Sequence, residues 1–175
     1  MKKIFLIALA VLVVGGLGTY VYMGGLNSVE VTVVDVDGYN VAGKLFQGKS
    51  DAKEIKDYFF EAKELTQSQE LPGILTIMHY NDTTLAKGET KLFIGVMLAT
   101  EDFTLPEDYQ LISIQSKKAI RARIEAHNWV IPGAATIEER ISQKAKEEGL
   151  STELFTIEKY VSTNILEIDS PIKSN

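Results

Sequence analysis

The hydrophobic pattern opens on a block with no charge in it. Residues 4–23 are apolar or uncharged and follow directly on Lys2 and Lys3. As a helix this block reaches ~30 Å, the thickness of a bilayer core. Tyr20 and Tyr22 fall at its far end, where an interfacial aromatic belt would lie. The pattern predicts a transmembrane helix or uncleaved signal anchor over residues 4–23. The alternative is a cleaved signal peptide, with residues 4–14 as its apolar core and Gly16 and Gly18 near the cleavage site. Lys2 and Lys3 precede the block, and the first charges after it are Glu30, Asp35 and Asp37. The positive-inside rule then places residues 1–3 in the cytoplasm and the rest of the chain outside it, as a single-pass membrane protein.

Beyond the block the periodicity changes. Residues 24–28 are a short polar linker, and residues 29–36 are β-branched and partly alternating, which predicts a strand. Gly38 bends the chain into a second extended piece over 39–46. Residues 51–66 carry Ile55, Tyr58, Phe59, Ala62 and Leu65 at helical spacing, with Ser50 or Asp51 as a candidate cap. After Pro72 and Gly73, strands are expected over 74–80 and 91–98.

The same order then returns. Residues 109–114 and 119–127 read as extended. A helix follows Pro132 and Gly133, with Thr136 and Glu139 at capping-box spacing and a Schellman stop at Gly149 and Leu150. Residues 154–162 and 165–168 close as a hairpin. Strand, helix, strand, strand is thus stated twice. The expected architecture is an α+β fold of duplicated β-α-β-β modules, forming an antiparallel sheet with two helices on one face and a concave groove. The groove is expected on the face away from the helices, where a small molecule would sit. The ligand-binding domain spans 29–172, and 173–175 are a tail.

Composition narrows the chemistry. The chain has 175 residues, no cysteine, four prolines and a formal net charge of -6. Setting aside Lys2 and Lys3 makes the remainder more acidic still, which argues against nucleic acid as a partner. Without cysteine there is no disulfide, thiolate metal site or cysteine nucleophile. His79 and His127 are the only histidines and form no metal-binding spacing, so neither a metal nor a cofactor is expected. No phosphate-binding or nucleophile-elbow motif is present.

One strand stands out. In residues 154–161, Phe155, Ile157 and Val161 share one face, expected to pack on the helices, while Leu154, Thr156, Glu158 and Tyr160 share the other. A carboxylate beside an aromatic ring fits either an exposed, solvated face or a half-buried ligand site. Tyr80 could mirror Tyr160 from the first repeat, or be a surface tyrosine. Trp129 reads as core packing, with a ligand-stacking wall as the alternative. Arg121, Arg123, Glu125 and His127 line one face of their strand, as a solvated face with cross-strand ion pairs or as a pocket rim.

The Glu158-Lys159-Tyr160 strand, the 168–172 segment after it, the 121–127 strand and the Ile131-Pro132-Gly133 turn together resemble the GyrI-like small-molecule-binding domains. These domains are also attached to some bacterial transcription activators. The resemblance covers about residues 29–172. It implies two β-α-β-β modules related by a pseudo-twofold axis, with Glu158 at the base of a ligand pocket. In the binding reading, Tyr160, Tyr80 and Trp129 are the candidate apolar walls. The expected function is a membrane-anchored, extracytoplasmic binding protein for an amphipathic or cationic small molecule. Some GyrI-like proteins hydrolyse strained rings, so Glu158 as a base activating water is the alternative. Docking of another envelope protein on the sheet is the third.

Overall fold

The computed structural model describes residues 2–27 and 29–173, with the side chains of 2–8, 10 and 128 outside the description. In chain order the elements are α1 (Lys2–Tyr22), β1 (Glu30–Asp35), β2 (Tyr39–Lys49), α2 (Lys53–Gln67), β3 (Gly73–Tyr80) and β4 (Glu89–Leu98). They continue with β5 (Gln110–Ile114), β6 (Lys118–Glu125), a 3₁₀ turn at Asn128–Val130, α3 (Ala134–Glu147), β7 (Phe155–Ser162) and β8 (Ile165–Pro171). Every strand pairing is antiparallel, and the eight strands form one sheet in the order β1-β6-β8-β7-β3-β4-β2-β5.

That order enlarges the expected repeat. Each half of the chain is strand, strand, helix, strand, strand, and the leading strands are exchanged: β1 pairs with β6 of the second half, and β5 with β2 of the first. The two halves meet at β3 and β7. Only residues 36–38 connect β1 to β2, although these strands lie near opposite ends of the sheet. The crossing turns at Gly38, whose φ of +85° places it where a side chain is disfavoured, and where an added Cβ would meet the Ile114 carbonyl oxygen at 2.7 Å.

The sheet is strongly curled. Tyr39 on β2 donates its hydroxyl to Asp169 Oδ2 on β8 at 3.0 Å, although β7, β3 and β4 lie between those strands. With strands ~4.8 Å apart, a flat sheet would hold them far beyond a tyrosine's reach. The face carrying Tyr39 is therefore concave, and it is filled by the chain's own Val41, Met78, Phe93, Ala119 and Ile157. The helices lie on the other side. This reverses the expected placement of the groove, because period-2 alternation separates two faces without saying which one meets a helix.

On the helix side, Ala62 of α2 packs on Ala42, Leu75 and Val96, and Ile137 and Ile141 of α3 pack on Ile120, Ala122 and Ile124. The helix starts differ from expectation. β2 runs through Lys49 and a turn takes up Ser50 and Asp51, so Ala52 caps α2 without a side-chain bond. Gly133 already has the extended cap conformation, which leaves Thr136 inside the first turn of α3. The stop of α3 is as expected. Gly149 has φ +65°, and the Leu150 amide donates to the Ala145 carbonyl at 2.9 Å.

α1 is a single helix whose described leucines and valines are exposed. Among the described residues no helix is long and apolar enough to cross a membrane. The predicted span of 4–23 includes positions 4–8 and 10, whose side chains lie outside the description. The end of α1 is tied to the domain rather than joined by a free linker. The His127 amide donates to the Met23 carbonyl at 2.8 Å, and Asn27 Nδ2 donates to the Glu125 carbonyl at 2.6 Å.

Candidate functional site

α2 packs over β4, β3 and β2, and α3 over β6 and β1. That leaves β7 and β8 as the floor of a groove between the helices. Strand alternation brings Glu158 and Tyr160 up into this groove. Glu158 is paired with Ile77 of β3 and Ile168 of β8. The interval from Ile77 to Glu158 equals that from Lys53 to Ala134, where the two helices start. Ile77 and Glu158 therefore occupy equivalent positions at the pseudo-twofold axis, and Glu158 stands at the centre of the groove floor.

The Glu158 side chain is 19% exposed, and its Oε2 lies 2.8 Å from Nε2 of His79. His79 comes from β3, two residues beyond Ile77, just as Tyr160 lies two residues beyond Glu158. The repeat-equivalent of Tyr160 is thus His79, not Tyr80. His79 was missed as a site residue because its approach to Glu158 depends on β3 lying beside β7, a contact between halves that no local pattern signals.

Tyr160 closes the other side of the carboxylate. Its ring meets Phe59 of α2 edge-on, with centroids 5.3 Å apart, a contact worth ~0.5–1.5 kcal/mol beyond the area it buries. It also packs against apolar residues under both helices. Burial, and then the negative charge of Glu158, hold the Tyr160 phenol well above its ordinary value. The hydroxyl accordingly stays protonated as a donor. Beside Tyr160, toward the β7–β8 turn, lies a cavity of about 420 Å³ lined by Phe59, Lys63, Thr66, Leu75 and Thr163 among others. Tyr58 and Phe59 of α2 cover Ile77. The groove therefore presents one half-buried carboxylate among aromatic rings.

The other candidates are elsewhere. Tyr80 points to the concave side, against Phe155, with the Lys91 ammonium over its ring. Trp129 is 86% exposed, so it is neither core nor groove wall. It lies in the 3₁₀ turn after β6, where its amide donates to Nδ1 of His127. A larger open depression of about 830 Å³, lined by Asp35, Asp37, Lys117 and Lys118 among others, sits where the two halves cross. Its Asp35 and Lys118 are largely exposed and 4.0 Å apart, so solvated charges line it. Among the described residues no cluster of histidine, aspartate and glutamate could hold a metal.

Lys159, between Glu158 and Tyr160, faces the concave side and anchors a buried network. Its ammonium donates to Glu167 at 2.9 Å and to Asp169 at 2.8 Å. Arg121 binds Asp169 through two nitrogens, and Arg123 binds Glu167 at 2.7 Å. The expected cross-strand pairs of Arg121 and Arg123 are thus present, but they close over a charge cluster instead of facing open water. Burial opposes the ionisation of Asp169. Hydrogen bonds from Arg121 and Lys159 outweigh it and hold the carboxyl below its ordinary value, and Glu167 behaves in the same way.

No family model and no curated protein matches this chain. Solved structures do share its fold. The EcmrR C-terminal domain superposes with a TM-score of 0.57 at 14% identity, covering 84% of this chain and 99% of that one. SAV2435, solved bound to tetraphenylphosphonium, gives 0.54 at 13% identity over 83% of this chain and 94% of its own. A hydrolase from Listeria innocua gives 0.51 at 12% identity, covering 83% and 93%. The fold is that of the GyrI-like effector-binding domains, as the sequence resemblance implies.

Proposed function

We propose that this chain binds an amphipathic cation in the groove between α2 and α3. Glu158 supplies the opposing charge, and Tyr160 and Phe59 supply rings for the apolar part. The observation that carries this reading is the half-buried Glu158 carboxylate at the groove centre, beside the edge-packed Tyr160 and Phe59. A protein of the same fold, SAV2435, was solved with a lipophilic cation bound. Tetraphenylphosphonium is therefore the probe for calorimetric titration of the full chain. Glu158→Gln is expected to weaken its binding at least about tenfold, ~1.4 kcal/mol. Equal affinity in the variant would remove Glu158 from the site.

The same proposal has residues 4–23 as a membrane anchor, with Lys2 and Lys3 cytoplasmic and the domain extracytoplasmic. In its support, α1 runs unbroken over Lys2–Tyr22 and its described apolar side chains are exposed. Two exposed rings, Tyr22 and Trp129, flank the junction of α1 with the domain, and His127 adjoins both. Protease added to intact cells is expected to digest the domain; a protected domain would overturn the orientation.

A hydrolytic role is the second reading. The His79–Glu158 hydrogen bond gives the carboxylate the imidazole neighbour that acid–base chemistry uses, and a hydrolase shares the fold. Turnover of a strained-ring electrophile by the full chain, lost in Glu158→Gln, would establish it.

A further inference from the structure

We propose that His79 is a resident counter-cation of Glu158 which the ligand must displace, so that binding is coupled to release of a proton from His79. This rests on Glu158 being the ligand's charge partner and adds the regulation of that site. The geometry assigns the role. Nε2 of His79 lies 2.8 Å from Oε2 of Glu158, so the imidazole already occupies one of the two carboxylate oxygens that a cation would approach. The His79 side chain is 41% exposed against 19% for Glu158, so the imidazole can swing into solvent while the carboxylate stays in the floor.

Of the neighbouring cations, Lys63 lines the cavity on the far side of Tyr160, and the others are held by carboxylates. Lys44 is held by Glu61, Lys53 by Asp57, and Lys159 and Arg121 by Asp169 on the opposite face. On the elements packed around His79, the β4 partner is Leu92 and the β7 partners are Thr156 and Glu158. α2 contributes the phenol of Tyr58 above this part of the sheet, and β7 adds that of Tyr160. In the loop after β3, Asp82 is tied to Thr84. Glu158 is thus the one carboxylate in contact with His79 among the described residues.

A lysine or arginine at this position would keep its charge and hold the carboxylate at every physiological pH. Histidine changes charge between about pH 5 and 8. Imidazolium competes with the ligand for one carboxylate, whereas neutral imidazole only donates a hydrogen bond to it. Affinity for a permanent cation therefore rises with pH, by at most about tenfold per unit, over the interval in which binding takes a proton from the imidazole, and is flat outside it. A neutral ligand does not compete for the carboxylate and carries no such slope.

The test is calorimetric titration of the full chain in neutral detergent with tetraphenylphosphonium, from about pH 5 to 8. The proton count is taken from two buffers of different ionisation enthalpy. Wild type is expected to release up to one proton on the acid side, with affinity rising as stated. His79→Gln is expected to bind at low pH as tightly as wild type does at high pH, with no slope. A flat wild-type profile without proton release would overturn the proposal, and that measurement needs no variant. The same slope in His79→Gln would overturn it too, by assigning the linked proton to Glu158. So would weaker binding by His79→Gln at every pH, which would place the imidazole in the ligand's grip. Absence of wild-type binding at the alkaline end would instead reject the cation site, and this proposal with it.

Discussion

Lys159 Nζ and Asp169 Oδ2 lie 2.8 Å apart with side-chain exposures of 3% and 0%, a cation and an anion removed from water together. Removing Lys159 takes from buried Asp169 one of its two cations and leaves it Arg121. Lys159→Met is therefore expected to lower the urea midpoint, at a cost below the about 3–5 kcal/mol of a wholly unpaired buried charge. Lys159→Met combined with Asp169→Asn is expected to cost less than the sum of the two single losses, because the two residues share one bond. Equilibrium urea unfolding of wild type, the two single variants and the double variant checks this. Additive losses would refute the coupling.

The same network sets an acid limit. Asp169 and Glu167 have folded-state values below their ordinary 3.8 and 4.5. Depressed carboxyl values contribute stability that is complete above the ordinary range and is lost as pH falls through the folded values. Wild type is expected to lose thermal stability steeply below about pH 4.5. Asp169→Asn, less stable at neutral pH, is expected to lose less over the same interval. Parallel melting curves would rule the network out as the acid-sensitive element.

Phe59 tests the aromatic wall separately from the charge. Phe59→Leu keeps most of the apolar volume and is expected to cost under ~1.5 kcal/mol of stability. It removes the ring beside Tyr160. Tetraphenylphosphonium affinity is expected to fall about tenfold, within the range of an aromatic contact to a desolvated cation. Unchanged affinity in a folded variant would place the ligand away from α2.

Trp129 is the chain's one tryptophan and is 86% exposed, so its fluorescence reports a single position. In detergent-free buffer, the domain from residue 24 onward is expected to emit as a solvent-exposed indole and to be quenched freely by acrylamide. In lipid vesicles, the full chain is expected to show blue-shifted emission and reduced quenching, because the 3₁₀ turn is tied to the end of α1. Identical spectra in the two preparations would detach this turn from the bilayer surface.

The strands, the two amphipathic helices and the glycine stop of α3 were readable locally, since each follows from periodicity or from one residue's backbone preference. So was the sharing of one face by Glu158 and Tyr160. What could not be read was which strands are neighbours. The pairing of β3 with β7 is long-range and brings His79 to Glu158, and the curl of the sheet fills the concave face and buries Lys159. Lys159 illustrates the limit. Flanked in sequence by Glu158 and Tyr160, it reads as an exposed charge, and only the cross-strand Glu167 and Asp169 make its burial tolerable. Trp129 misled for the opposite reason. A large apolar ring after a strand suggests core, but a one-turn helix there carries it outward.

The exchanged leading strands give the chain a particular layout. Two copies of a five-element unit, each lending its first strand to the other, are the arrangement of a swapped homodimer, here joined into one chain by residues 99–109. In such a dimer the axis would place a residue against its own twin, and a glutamate there would face a second glutamate. In one chain the two positions are free to differ. With Ile77 opposite Glu158, the pseudo-twofold axis holds one negative charge instead of two, the number that the proposed monovalent cation would need.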